Sequence, residues 1–450
     1  MSDGWKTSLI NSSFSPGADG GEPRFDRVRI PTTSGWTRRN TAEGMVGETD
    51  KEAIQDNFVY FIKDPIRPFG IQIGESRSKR HLGNPMAIPD LTNLDLKSIK
   101  NMYPFLQVTG FKWIRMVLAE LSTDPKILQY IHDTDPDPHV KTIASKNPSA
   151  SSELQKEECI FCKDAFLKDR MLPSASSLTR IIKNDFPFGP YFHYIAFPAR
   201  AIHAWEELEM IDIYDLNLTL WRYLQHQKSQ AVWFPEPSGV HIGLNSTIRH
   251  LVIGTKTLTS AGASIPHIHK QAWGMAQGAN SLGSHLNHLC RHYEPSCDYL
   301  ASYLKFVKER GMVLFEDDQV ALYVPLGQIS IHEMQIMVKR AGACNYLSLS
   351  REEIKSISKA EAVAILFLEE LGIKSFNEIL INLPFEENST YFRLIICFLT
   401  REVDIAVSEL NQLFVVDKHP EDTVSILGPI KEMVLQSVED AAARIAGFHK

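Results

Sequence analysis

Between residues 159 and 400 the apolar positions change their period in the same order twice. In the first passage a strand-like stretch at 191–197 leads through Pro198, Ala199 and Arg200 to His203, and then to a helix-period segment at 211–227. A strand at 239–244 follows, and after it a strand carrying His267 and His269. In the second passage 320–325 and 335–339 alternate as strands, 351–371 has helical spacing, and 376–383 and 391–398 are strand-like again. Alternation marks a half-buried strand, whereas recurrence every three to four residues marks a helix. Ser350 with Glu353 three residues on predicts a capping box at the start of the second helix. The pattern predicts an α+β chain with two similar half-units, antiparallel strands flanked by helices.

The flanking regions are less regular. Residues 1–49, rich in Gly, Pro, Ser and Asp, predict a poorly ordered arm. Residues 50–154 form an extension of unassigned fold and role, with helices expected at 111–121 and 125–132 and a polar linker at 133–153. The two half-units then occupy 155–300 and 301–450. A chain of 450 residues is expected to hold two or three units with a sizeable interior.

Composition narrows the partners. An apolar fraction of 44% and a charged fraction of 22% are those of a soluble globular chain. A net charge of −7, with Lys and Arg dispersed, provides no footprint for a nucleic-acid backbone but leaves small phosphorylated ligands open. The first residues, Met1 to Lys6, lack a basic flank followed by an apolar run, and no stretch has the length of a membrane span, so a cytoplasmic protein is expected.

Chemistry concentrates in the first half-unit. Cys159 and Cys162 have the spacing of a zinc half-site, although a redox dithiol has the same spacing. His203 and His267 would complete a closed Cys₂His₂ set, which makes the zinc structural. On a strand, residues two apart share a face and lie about 6.6 Å from one another. His269 is thus expected beside a metal ligand yet able to face a substrate. A neutral imidazole is a competent nucleophile toward phosphorus, and Gln271 two positions on can donate to a phosphoryl oxygen. Gly262 and Ser264 would provide close backbone approach and a hydroxyl to the same phosphate. The second half-unit has Tyr391 and Arg393 where the first has the two histidines, and Lys339, Arg340 and Arg393 are candidates for an acceptor phosphate.

The motif Gly262-x-Ser264-x-x-His267-x-His269-x-Gln271, behind Cys159/Cys162, Asn184-Asp185-Phe186 and His203, resembles the galactose-1-phosphate uridylyltransferase branch of the histidine-triad superfamily. The resemblance spans roughly residues 155–400 and implies a HIT-like fold. It implies zinc on Cys159, Cys162, His203 and His267, a nucleotide carried on His269, and a phosphate held by Gln271. Asn184, Asp185 and Phe186 would contact the nucleoside, and Asn245 the phosphates, with residues 246–261 as an insertion between that asparagine and the motif. The implied reaction moves a nucleoside monophosphate from a nucleotide sugar, or another nucleoside diphosphate derivative, to a phosphorylated acceptor through a nucleotidyl-histidine. The alternatives are a nucleotide-sugar or dinucleotide phosphorylase and a non-catalytic, zinc-stabilised nucleotide-binding protein. A homodimer is also implied. The family's arginine-rich opening is not visible, and this departure bears on the hexose-phosphate substrate.

Overall fold

The computed structural model describes residues 28–31, 58–63, 66, 70–74, 95–108, 115–116, 118–119, 122–147, 150, 159–168, 170–173, 176–184, 192–229, 250–256, 265, 267–275, 281–373, 375–385, 387–400, 413–416 and 420–448. Strands β1 (Val28–Pro31), β2 (Phe58–Lys63) and β3 (Gly70–Gly74) form an antiparallel run, to which β13 (Leu413–Val416) adds in parallel beside β3. Helices α1 (Leu96–Val108), α2 (Pro125–Thr134) and α3 (Pro138–Lys146) follow β3 and bury Ile99, Tyr103, Ile127, Leu128, Ile131 and Val140 in a small core of their own. Both short helices start on an Asp-Pro pair: Asp124 and Asp137 each accept a backbone N–H two residues on, and the proline needs no donor at that place.

A nine-stranded sheet makes up the remainder. Its members are β4 (Thr179–Lys183), β5 (His193–Pro198), β6 (His250–Lys256), β7 (Lys270–Met275), β8 (Val313–Glu316), β9 (Val320–Tyr323), β10 (Met334–Val338), β11 (Phe376–Ile381) and β12 (Ile395–Thr400). They lie in the order β4-β5-β7-β6-β11-β12-β10-β9-β8, and every pair is antiparallel. With β8 set aside, this order reads alike from either end, β6 and β11 meeting at the middle. Gly254 stands at that seam opposite Ile379, and a Cβ there would lie 2.6 Å from the Glu378 carbonyl oxygen, so the two strands close only on glycine.

One face of the sheet is covered by α5 (Met210–Ser229), α8 (Arg351–Glu370) and α9 (Pro420–Phe448), which share one core with Ala196, Ile253, Ala272, Ile336 and Ile396. The expected capping box is present: Ser350 accepts from the Glu353 amide, and the Glu353 carboxylate accepts from the Ser350 amide. On the other face, α6 (Ser281–Tyr293) and α7 (Tyr299–Glu309) bury the strands of the second half through Tyr303, Tyr323, Met337 and Cys397. Over the first half the same face is covered at one end by Phe161, packed with Ile195 and Phe197. Among the described residues Val252, Gln271 and Trp273 belong to none of these clusters and stay half-buried.

A buried ionic group joins the halves. Strand alternation turns Lys270 away from His269 and Gln271 to the helical face, where its Nζ lies 2.8 Å from Glu361 of α8 and 2.9 Å from Glu378 of β11. Asn217 of α5 donates to Glu361 and Thr255 of β6 to Glu378. Two carboxylates share one ammonium, so burial, with Glu378 adding to it, raises the Glu361 carboxyl.

Several expectations shift. A strand, β1, lies inside the stretch expected to be poorly ordered. The region 133–153 is not a plain linker, because Asp137-Pro138 starts α3 and Val140 and Ala144 are buried. Of the helix expected at 111–121, residues 115, 116, 118 and 119 are described, and they are helical. The strand expected at 239–244 lies outside the described residues. The segment 246–261, read as an insertion, contains β6, whose Leu251, Ile253 and Thr255 are buried while Val252 and Gly254 are half-buried.

Replacing Lys270 by Met should leave two uncompensated buried carboxylates and lower the unfolding free energy by about 3–5 kcal/mol in urea titrations. The triple variant Lys270→Met/Glu361→Gln/Glu378→Gln should recover most of that loss. A Lys270→Met chain as stable as its parent contradicts the account.

Candidate active site

Four donors meet where β5 ends and β7 begins. Cys159 caps and Cys162 ends a one-turn 3-10 helix, Ile160–Cys162, closed by the Cys162 amide on the Cys159 carbonyl and followed by the short helix α4 of the knuckle, Asp164–Leu167. Phe161 inside this turn stacks on Phe197 of β5 with ring centroids 4.5 Å apart, which anchors the knuckle to the sheet. His203 follows β5, its amide donating to Glu207 at 3.0 Å. His267 stands three residues before β7, and the Ile268 amide binds the Ile202 carbonyl, joining the two loops.

The ligand atoms of Cys159, Cys162, His203 and His267 all lie within 4.8 Å of one another. Cys162 Sγ is 3.5 Å from both His203 Nε2 and His267 Nδ1, and Cys159 Sγ is 3.8 Å from His267 Nδ1. Metal bonds of about 2.0–2.3 Å in a tetrahedron give ligand separations of roughly 3.5 Å, so the set can hold one metal ion. Two imidazole nitrogens facing the thiols favour this over a redox dithiol. The Cys159 thiol is held far below its usual range, first by its hydrogen bond with Cys162 and then by those with His203 and His267. No position remains on a tetrahedral ion bound by all four.

Main-chain carbonyls set the proton positions in both histidines of the motif. A carbonyl can only accept, so His267 Nε2, 3.0 Å from the Pro198 oxygen, carries its proton, and Nδ1 is left with a lone pair toward the thiols. In His269 the sense is reversed: Nδ1 lies 2.7 Å from the His267 oxygen and donates, leaving Nε2 bare. Burial pushes the His269 imidazole down to about 4, against the hydrogen bond to His267. The ring is therefore neutral at neutral pH. Phe161 meets both rings edge-on, at 6.0 Å from His267 and 5.8 Å from His269.

From His269 Nε2 the polarity runs on across the sheet. Gln271 Nε2 is 3.0 Å away and donates, so Gln271 Oε1 must accept, and His193 Nε2 lies 3.1 Å from it. Asn184 Nδ2 in turn is 3.1 Å from His193 Nδ1 and 3.3 Å from its Nε2, and donates to the nearer Nδ1. Asn184 thus reaches the site through His193, a residue of β5 that the sequence reading missed. Nothing in a single sequence distinguishes it from any other buried strand residue.

The predicted site residues are placed as follows. His203, His267, His269 and Gln271 come together with the two cysteines. His267 and His269 precede β7 instead of lying within it, the strand beginning at Lys270. Asp185, Phe186, Asn245, Gly262 and Ser264 lie outside the described residues. The basic candidates for an acceptor phosphate are engaged elsewhere. Arg393 makes a two-pronged pair with Asp298 at 2.6 and 2.7 Å, Arg340 binds Glu353, and Lys339 binds Glu316. Sequence could not reveal these partners, which are 13–95 positions away.

No family model matches the sequence, and no curated protein matches it. The structure is similar to that of an ADP-glucose phosphorylase from Arabidopsis thaliana with bound ADP-glucose, at 14% identity and a TM-score of 0.46 over 55% of this chain and 81% of that one. It is also similar to a GalT-like protein from Arabidopsis thaliana, at 14% identity and a TM-score of 0.47 over 60% and 89% of the two chains. A uridylyltransferase is similar at 15% identity and a TM-score of 0.45, over 59% of this chain and 86% of that one. No helix among the described residues is long and apolar enough to cross a membrane.

The purified chain should carry one tightly held metal ion per molecule by elemental analysis. Stripping it with a chelator should lower the thermal midpoint by about 5–10 °C. A metal-free chain whose midpoint ignores chelator would rule the centre out.

Proposed function

We propose that this chain is a nucleotidyltransferase that carries a nucleoside monophosphate on His269. The observation that supports it is the bare Nε2 of a neutral, buried imidazole, with an amide donor from Gln271 beside it and Nδ1–H bound to a carbonyl. In the first step Nε2 attacks the α-phosphorus of a nucleotide sugar or another nucleoside diphosphate derivative. A P–N bond forms, and the P–O bond to the phosphorylated leaving group breaks with its electron pair on oxygen. The ring becomes cationic, and the Nδ1–H bond to the His267 carbonyl stabilises that charge. Gln271 turns its N–H from Nε2 to a non-bridging oxygen, where charge accumulates. In the second step an acceptor phosphate oxygen attacks, the P–N bond breaks, and Nε2 regains its lone pair.

Zinc on Cys159, Cys162, His203 and His267 would supply rigidity, cross-linking the knuckle to the two loops that set His269. Asn184, Asp185 and Phe186 are assigned to the nucleoside, and Asn245, Gly262 and Ser264 to the phosphates. We read the two halves as copies of one HIT-like unit. Arg200 binds Asp212 near the start of α5 as Arg340 binds Glu353 near the start of α8, which supports the reading. Ala196 pairs with Lys270 and Ile336 with Ile396; with Arg200 set against Arg340, Arg393 stands level with His267, and Ile395 and Cys397 with His269 and Gln271. The match of Tyr391 and Arg393 to the two histidines is therefore moved by two residues, and the second half acts as support. An organic phosphate and inorganic phosphate complete the second step alike, and product mass separates transfer from phosphorolysis. A homodimer is part of the same proposal.

Label should exchange between a nucleotide sugar and its sugar phosphate with no second substrate, since the adduct forms reversibly. His269→Gly should lower that exchange at least about 10⁴-fold while still binding nucleotide. Unchanged activity in His269→Gly would sink the enzymatic reading and leave a nucleotide-binding protein.

A further inference from the structure

An amide side chain has two ends of nearly the same shape and opposite polarity, and only the N–H end of Gln271 is of use beside an anionic phosphate. Gln271 has its Cβ on the face of β7 turned away from α5, α8 and α9, where strand geometry does not choose between the two ends. In the free chain the bare His269 Nε2, 3.0 Å from Gln271 Nε2, favours that end too, but once Nε2 is bonded to phosphorus only a donor on Oε1 holds it, and His193 Nε2, 3.1 Å away, provides one. His193 is itself held by its neighbours: Asn184 Nδ2 lies 3.1 Å from its Nδ1 and 3.3 Å from its Nε2, the nearer nitrogen accepting, and the Trp273 ring lies with its centroid 5.4 Å off. The residue is 3% exposed and opens β5, next to β7 in the sheet and directly opposite Trp273.

We propose that His193 is a positioning residue that fixes the Gln271 amide with its N–H end toward His269 and the transferred phosphate. The inference rests on the reading of His269 as nucleophile and adds to it the device that orients its partner. Without the His193 donor the amide can turn over and present Oε1 to phosphoryl oxygens, converting an attraction into a repulsion. His193 need not touch the substrate to do this. A glutamine at position 193 can extend an N–H to the place of Nε2, whereas alanine cannot.

The test compares His193→Ala, His193→Gln, Gln271→Ala and the His193→Ala/Gln271→Ala double variant in the full chain. Two readouts are used: exchange of label between a nucleotide sugar and its sugar phosphate, and the ring-nitrogen resonances of [¹⁵N]histidine-labelled protein without substrate. His193→Ala is expected to lower kcat about 30–100-fold with KM changed less than about threefold, as for loss of one oriented donor. His193→Gln should restore the rate to within about fivefold of the parent. The double variant should be no slower than Gln271→Ala, because both changes remove the same contact. Parental kcat in His193→Ala, multiplying effects in the double variant, or no recovery in His193→Gln would each overturn the proposal. If the parent itself exchanges no label, the nucleotidyl-transfer reading fails, and the resonances still decide the orientation. His269 Nε2 should shift in His193→Ala as it does in Gln271→Ala, and an unmoved signal overturns the role of His193.

Discussion

The His267 carbonyl oxygen, 2.7 Å from His269 Nδ1, can accept a proton and never offer one, and the arrangement of the candidate site depends on that restriction. It assigns the proton of His269 to Nδ1 and leaves Nε2 with its lone pair. The Pro198 carbonyl does the same to His267 in the opposite sense, holding Nε2–H and leaving Nδ1 to the thiols. Two histidines separated by one residue thus adopt opposite tautomers, one suited to a metal and one to an electrophile. A change in either carbonyl's position would alter the chemistry without altering a single side chain.

Such carbonyls are useful only if the backbone holding them is rigid, and the rigidity has two sources on opposite faces of the sheet. Beneath β7, Lys270 ties the strand to α8 and β11 through Glu361 and Glu378. Above it, Phe161 packs on Phe197 and meets both histidine rings, which ties the cysteine knuckle to the site. The second half of the sheet contributes Glu378 for Lys270 to bind, and on its opposite face that half is covered by α6 and α7. On that face of the first half, among the described residues, Gln271, Trp273 and Val252 are half-buried.

Much of this was legible in the chain. The Cys-x-x-Cys pair, His203 and the His-x-His-x-Gln run are short patterns of uncommon residue types, and they come together in space. The capping box at Ser350 was readable because its two bonds span three residues. By contrast, α3 was hidden by an Asp-Pro pair that also suits a turn, and β6 by its place in what looked like an insertion. β13 was invisible because it joins strands more than 300 positions away. His193 escaped for another reason: its importance lies in a contact with Gln271 across 78 positions, not in its own neighbours. The partners of Arg393 and Lys339 were illegible in the same way, and basic residues that looked available for a phosphate are bound to carboxylates.

Intact-mass analysis after mixing the chain with a panel of nucleotide sugars, followed by peptide mapping, tests the central claim most directly. The account predicts one nucleoside monophosphate added per chain, acid-labile and located on His269. An adduct on another residue, or rapid turnover of a nucleotide sugar with no adduct at any time, would contradict it.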